Sequence, residues 1–93
     1  MKLILSLFII LTLPCLNGYA AALTAVDDFG DNPGDINMYK YVPEDMPDNA
    51  PLVVSLHGCL QDAETYSNVG WIEQAQALKF YLVFPEQRLI NNA

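Results

Sequence analysis

Pro51-Leu52-Val53-Val54-Ser55-Leu56-His57-Gly58-Cys59 is a short apolar run that breaks into a glycine turn. Only Ser55 interrupts it between Leu52 and Leu56, and turn-forming residues flank it. It reads as a strand buried on both faces, as in a parallel sheet. In α/β domains, the groups that follow such a strand are the ones that meet ligands. A glycine there lets the backbone turn sharply and leaves N–H groups pointing outward. Donors held in that way stabilise the oxyanion in serine esterases.

Downstream, Asp62 is placed to cap a helix over residues Ala63 to Asn68. Gly70 is placed to start a second helix, with Glu73 near its positive end. In that helix Trp71, Ile72, Ala75 and Leu78 share one face, and Glu73, Gln74 and Lys79 lie elsewhere. Trp71 therefore reads as core, with an exposed aromatic contact to a polymer as the alternative. Phe80 to Phe84 is a further strand, stopped by Pro85. Strand, helix and strand in that order predict a parallel pair with a right-handed crossover.

Upstream, Ile36, Met38 and Val42 alternate with Asn37, Tyr39 and Tyr41. This predicts another strand, and Lys40 on its apolar face suits a position near a sheet edge. Residues 23 to 35 read as an acidic opening loop. Pro43, Pro47 and Pro51 mark a turn-rich connector. The expected fold class is α/β, in the order strand, turn, strand, helix, strand.

The first 22 residues read differently. Met1-Lys2 supplies a positive end, Leu3 to Leu13 carries no charge, and Pro14, Asn17 and Gly18 break the run before Ala20, Ala21 and Ala22. That is the layout of a secretory signal peptide, with cleavage after Ala20 or Ala22. The run falls short of the about 20 apolar residues that span a bilayer, so no stable membrane span is expected after cleavage. An N-terminal membrane anchor is the alternative. Secretion, extracellular or periplasmic, is the expected destination.

Beyond residue 22, Lys40, Lys79 and Arg88 stand against all 11 acidic residues. Such a balance makes a poor nucleic-acid binder. Asp27, Asp31 and Asp35 lack the spacing of an EF-hand calcium loop and read as a solvated face. No metal site and no cofactor is expected. Of two cysteines, Cys15 falls in the signal peptide and Cys59 remains. An odd thiol in an oxidising compartment suggests a partner in another chain or elsewhere in a longer one.

Several pieces occur in a telling order: Asn32-Pro33-Gly34 leading to Met38-Tyr39, Tyr41-Val42-Pro43, Pro51-Leu52-Val53-Val54, Leu56-His57-Gly58-Cys59, Gly70-Trp71 and Pro85-Glu86-Gln87. Together, over about residues 32 to 92, they resemble the N-terminal part of the secreted poly(3-hydroxybutyrate) depolymerase family. That family of α/β-hydrolase esterases borders on feruloyl and acetylxylan esterases. The resemblance implies a substrate that is a short-chain polyester or small ester. It implies that His57, Gly58 and Cys59 form the oxyanion loop, with a backbone N–H at or next to Cys59. It also implies that Cys59 is a half-cystine, paired with a cysteine in a Cys-Phe-Asn-Trp-like stretch shortly after Pro-Glu-Gln. The 93 residues stop short of that stretch. Residues 23–93 are accordingly expected to be a truncated part of an α/β-hydrolase domain, from a shortened sequence or a broken gene.

No G-x-S-x-G elbow occurs, and His57 is the only histidine. No catalytic triad is expected, because one needs a serine, a base and an orienting acid together. Ser55, two residues before His57, offers a weak alternative pair, against His57 as a shaper of the loop. Cys59 as a nucleophile would need a depressed pKa and a base. Glu86 and Gln87 follow a strand at its ligand-binding end and read as substrate-side groups or as ordinary loop polarity. A small secreted binding protein without catalysis is the rival to the esterase fragment, and a feruloyl or acetylxylan type of esterase is a further alternative.

Overall fold

The computed structural model of the chain describes residues 23–92, so the expected signal peptide lies outside the described residues. The elements are β1 (Thr24–Ala25), β2 (Asn37–Tyr41), β3 (Leu52–Val54), α1 (Ala63–Ser67), α2 (Trp71–Leu78) and β4 (Tyr81–Glu86). A short 3₁₀ turn follows over Leu89–Asn91. The strands form one mixed sheet in the order β1-β2-β4-β3. β3 and β4 are parallel, with Val53 opposite Leu82. β2 runs antiparallel to β4, with Tyr39 opposite Phe84. The expected parallel pair is thus present, with the two helices between its strands.

Side-chain alternation decides where the core sits. Leu82 and Phe84 of β4 are fully buried, and they cluster with Phe80, with Ala63 of α1, and with Ile72 and Ala75 of α2. Tyr39, Tyr41, Val53 and Trp71 pack against this cluster. Trp71 therefore serves the core. In β2 the tyrosine face, and not the Met38 face, is the one that meets the core. An aromatic ring covers more apolar surface than its hydroxyl costs, which a simple apolar count does not register.

Three expectations need correcting. β3 is not buried on both faces: Leu52, Val54 and Leu56 are 60%, 53% and 67% exposed, while Ser55 is only 3% exposed. The helices cover one face of the sheet, and β3 is its outer strand. β2 does lie near the sheet edge, with only the two-residue β1 outside it; so short a strand shows no period in sequence. Leu78 is exposed although it shares the helix face, since it ends α2 just before the left-handed turn at Lys79.

Pro85 does not stop the strand but lies inside it, opposite Met38. Tyr81 N–H donates to Pro51 O, and Val83 O accepts from Ser55 N–H, so alternate residues of β4 face β3. Pro85 has the same parity, and its missing N–H falls past the end of β3 at Val54, where no ladder bond is lost.

Candidate functional site

The segment from Ser55 to Gln61 leaves the sheet at the C-terminal end of β3. Gln61 N–H donates to Gly58 O at 3.1 Å and closes a turn over Gly58, Cys59, Leu60 and Gln61. Leu60 occupies the third position with φ of 59°. That position of a type II turn wants a positive φ, which glycine adopts without strain. The sharp reversal is thus made at Leu60, not at Gly58 as the sequence suggests. Gly58 matters in another way: a Cβ there would lie 2.9 Å from Gln61 Oε1 and would push that carboxamide aside. Its bareness lets the Gln61 carboxamide accept from Gly58 N–H at 2.8 Å.

Asn92 reaches the same turn from beyond β4. Its Oδ1 accepts from Leu60 N–H at 2.9 Å, and its Nδ2 donates to Gln61 O at 2.8 Å. Gly58, Leu60 and Gln61 each have their N–H paired. Among the described residues, Cys59 N–H has no hydrogen-bond partner. Neither Gln61 nor Asn92 stood out in the sequence. A carboxamide three residues after a glycine is a weak signal, and Asn92 acts on a residue 32 positions away.

His57 ties the loop to the segment after β4. Gln87 N–H donates to His57 Nε2 at 3.0 Å, and His57 Nδ1 lies 2.8 Å from Gly58 O. The first bond requires an unprotonated Nε2, so the proton sits on Nδ1 and is donated to Gly58 O. Both ring nitrogens are therefore engaged by the backbone. Ser55 Oγ is buried and has no partner among the described residues, so no Ser55–His57 relay is assembled.

Glu86 is the last residue of β4, and both its oxygens are occupied. Oε2 accepts from Ala63 N–H at 2.9 Å, and Oε1 accepts from Asn37 Nδ2 at 3.1 Å. The carboxylate joins β4 to the start of α1 and to β2. Asp62 caps α1 as the sequence suggests, with Oδ1 accepting from Thr65 N–H at 2.7 Å. The Thr65 backbone bond and then its side-chain bond hold the Asp62 carboxyl below its ordinary 3.8, against an opposing effect of desolvation. Cys59 is an exposed free thiol in this structure. Arg88 and Asp35 form an exposed ion pair at 3.0 Å, which adds little.

The geometry brings the sequence-selected residues together. His57, Gly58, Cys59, Glu86 and Gln87 line one open cleft of about 460 Å³, joined by Leu56, Pro85 and Asn92. Its position beyond the ends of two parallel strands is where α/β sheets bind ligands. Among the described residues no group of three histidine, cysteine or acidic side chains is close enough to hold a metal ion. No helix among them is long and apolar enough to cross a membrane.

An α/β sheet with an unpaired backbone donor at a strand-end cleft is the kind of site found in ester hydrolases. Comparison with known proteins points to the same class. The chain is 53% identical over 72 residues to poly(3-hydroxyalkanoate) depolymerase C of Paucimonas lemoignei, a match covering 77% of the chain and 17% of that enzyme. It is 37% identical over 86 residues to feruloyl esterase B of Thermothelomyces thermophilus, covering 91% of the chain and 28% of the relative. Its fold matches acetyl xylan esterase from Aspergillus awamori with a TM-score of 0.65 and 31% identity, over 71% of the chain and 24% of that structure. No family model matches the sequence. These likenesses support kinship with the esterase family of polyhydroxyalkanoate depolymerases, feruloyl esterases and acetylxylan esterases, over a partial region. The chain spans between about a sixth and three tenths of the length of these relatives.

Proposed function

We propose that residues 23–93 form part of an α/β-hydrolase domain and supply the oxyanion loop of a secreted esterase. Its substrates are poly(3-hydroxybutyrate) or related short-chain polyesters, and residues 1–22 direct its secretion. The single observation that carries this reading is the unpaired Cys59 N–H in a cleft at the C-terminal end of a parallel strand. The 53% identity to a depolymerase favours the polyester substrate.

In such an enzyme a serine hydroxyl attacks the ester carbonyl carbon while a base takes its proton. The carbonyl oxygen becomes an oxyanion, and Cys59 N–H donates to it. The serine and base lie outside these 93 residues, and His57 is not the base, since its Nε2 already accepts from Gln87. One well-placed donor contributes about 3–4 kcal/mol to lowering the barrier. Gln87 and the Cys59 side chain border the cleft on the substrate side, whereas Glu86 serves as a strut between elements. In the longer enzyme Cys59 is a half-cystine.

The experiment joins the full chain to the part of the Aspergillus awamori enzyme that it does not match. This hybrid is assayed on poly(3-hydroxybutyrate) film, acetylated xylan and feruloyl esters. Release of hydroxybutyrate supports the polyester reading. Turnover of acetylated xylan or feruloyl esters alone supports the second reading, which the fold likeness to an acetyl xylan esterase favours. A folded hybrid that cleaves no ester would refute both.

A further inference from the structure

The oxyanion loop is built with side-chain acceptors on both sides of one bare amide. Gln61 Oε1 holds Gly58 N–H at 2.8 Å, and Asn92 Oδ1 holds Leu60 N–H at 2.9 Å. The fourth amide of the turn, Gln61 N–H, is taken by Gly58 O. Only Cys59 N–H, between the two carboxamides, is left unpaired in the turn, and Cys59 lines the cleft. Asn92 does more than occupy an amide. It also donates to Gln61 O at 2.8 Å, so one side chain fastens both the Leu60 N–H and the Gln61 C=O of the turn.

Strain makes such fastening necessary. Leu60 sits at φ of 59° without being glycine, and a turn left to itself would relax away from it. Relaxation would rotate the peptide planes on either side of Leu60 and re-aim the neighbouring donors. A donor contributes to the transition state only if it is already aimed at the oxygen.

We propose that Gln61 and Asn92 are positioning residues of the oxyanion loop: they occupy the amides flanking Cys59 and hold the strained turn so that one N–H alone faces the reacting oxygen. This rests on the esterase reading given above. Neither side chain touches the substrate. Both act through the Gly58–Gln61 backbone.

The test uses the hybrid described above with Gln61→Ala, Asn92→Ala and the acceptor-keeping Gln61→Glu. Three quantities are read: kcat and KM on p-nitrophenyl butyrate, affinity for an alkyl boronic acid that forms a tetrahedral adduct with the serine, and the melting curve. Gln61→Ala and Asn92→Ala are expected to lower kcat by about 10-fold or more with KM unchanged, short of the 100-fold or larger loss of a whole donor. Affinity for the boronic acid should fall by the same factor. Gln61→Glu, which still accepts from Gly58 N–H, should recover most of it. Equal kcat in all variants, or loss seen only as a lower melting temperature, would overturn the positioning role and leave the esterase reading intact. A folded parent hybrid without esterase activity would instead overturn that reading and this one with it. If the whole-chain hybrid does not fold, exchanging only residues 57–61 and 87–92 into the Aspergillus enzyme gives the same measurements.

Discussion

Adjacent residues of β3 should respond in opposite ways to the same substitution. Val53 packs against the core, and Val54 is 53% exposed on the other face of an outer strand. Burying a valine or leucine fully stabilises by about 1.5–3 kcal/mol. Leu52, Val54 and Leu56 are each more than half exposed, so together they forgo about 3 kcal/mol or more. A folded segment of roughly 70 residues has about 3.5–10 kcal/mol in all, so this loss is a large part of the whole. The outer edge of β3 also carries unpaired backbone groups beside these apolar side chains, a template for association. Residues 23–93 expressed alone should therefore aggregate or remain largely unfolded. Val54→Lys should reduce aggregation, because a charge on an edge strand opposes pairing. Val53→Lys should abolish whatever structure remains. Size exclusion and thermal melting by circular dichroism on the three proteins check this. A soluble monomer with a cooperative melt from the unsubstituted segment would refute the reasoning. So would equal behaviour of the two lysine variants.

Other outcomes follow from the same geometry. In the hybrid, Glu86→Ala should cost about 2–4 kcal/mol by chemical denaturation, because two hydrogen bonds to a charged group are lost, and Glu86→Gln should cost less. Asp62 has a folded pKa below its ordinary 3.8, so its contribution is present above that value and lost as pH falls through the folded value. Asp62→Asn should lower the melting temperature of the hybrid slightly at neutral pH, where the carboxylate contributes, and flatten its fall below about pH 4. The 93-residue chain alone should hydrolyse no p-nitrophenyl ester and take up no fluorophosphonate at Ser55, which is buried; stoichiometric labelling there would contradict the assignment of His57. Its Cys59 thiol should react fully with a thiol reagent. Restored to a chain with the partner cysteine it should be protected, and its removal should then cost about 2–5 kcal/mol.

The parallel pair and the helical crossover were legible because a run such as Leu52 to Leu56 and the spacing of Ile72 and Ala75 carry their period locally. What the sequence misjudged depends on neighbours. The exposed face of β3 follows from which elements cover the sheet, and no property of Val54 announces it. Pro85 reads as a stop until its parity and the end of β3 are both known. For the site, the histidine, glycine and cysteine stand out as a motif, and so do Glu86 and Gln87 after the strand. The device that aims the loop does not, because Asn92 and Gln61 are ordinary carboxamides whose role appears only when segments 32 residues apart meet. At Gly58 the local geometry differs from the sequence expectation, because the positive φ of the turn falls on Leu60.

The claim at the centre is that Cys59 N–H is the oxyanion donor, and proline tests it directly. Cys59 is the second residue of a turn whose third has positive φ, a position that proline favours, so Cys59→Pro deletes the N–H with little disturbance of the turn. Cys59→Ala keeps the N–H and removes the sulfur. In the hybrid, assayed well below its melting temperature, Cys59→Pro should lower kcat on p-nitrophenyl butyrate by about 10²–10³ while Cys59→Ala stays within a few-fold of the parent. A Cys59→Pro hybrid that folds and turns over substrate at the parent rate would contradict the account.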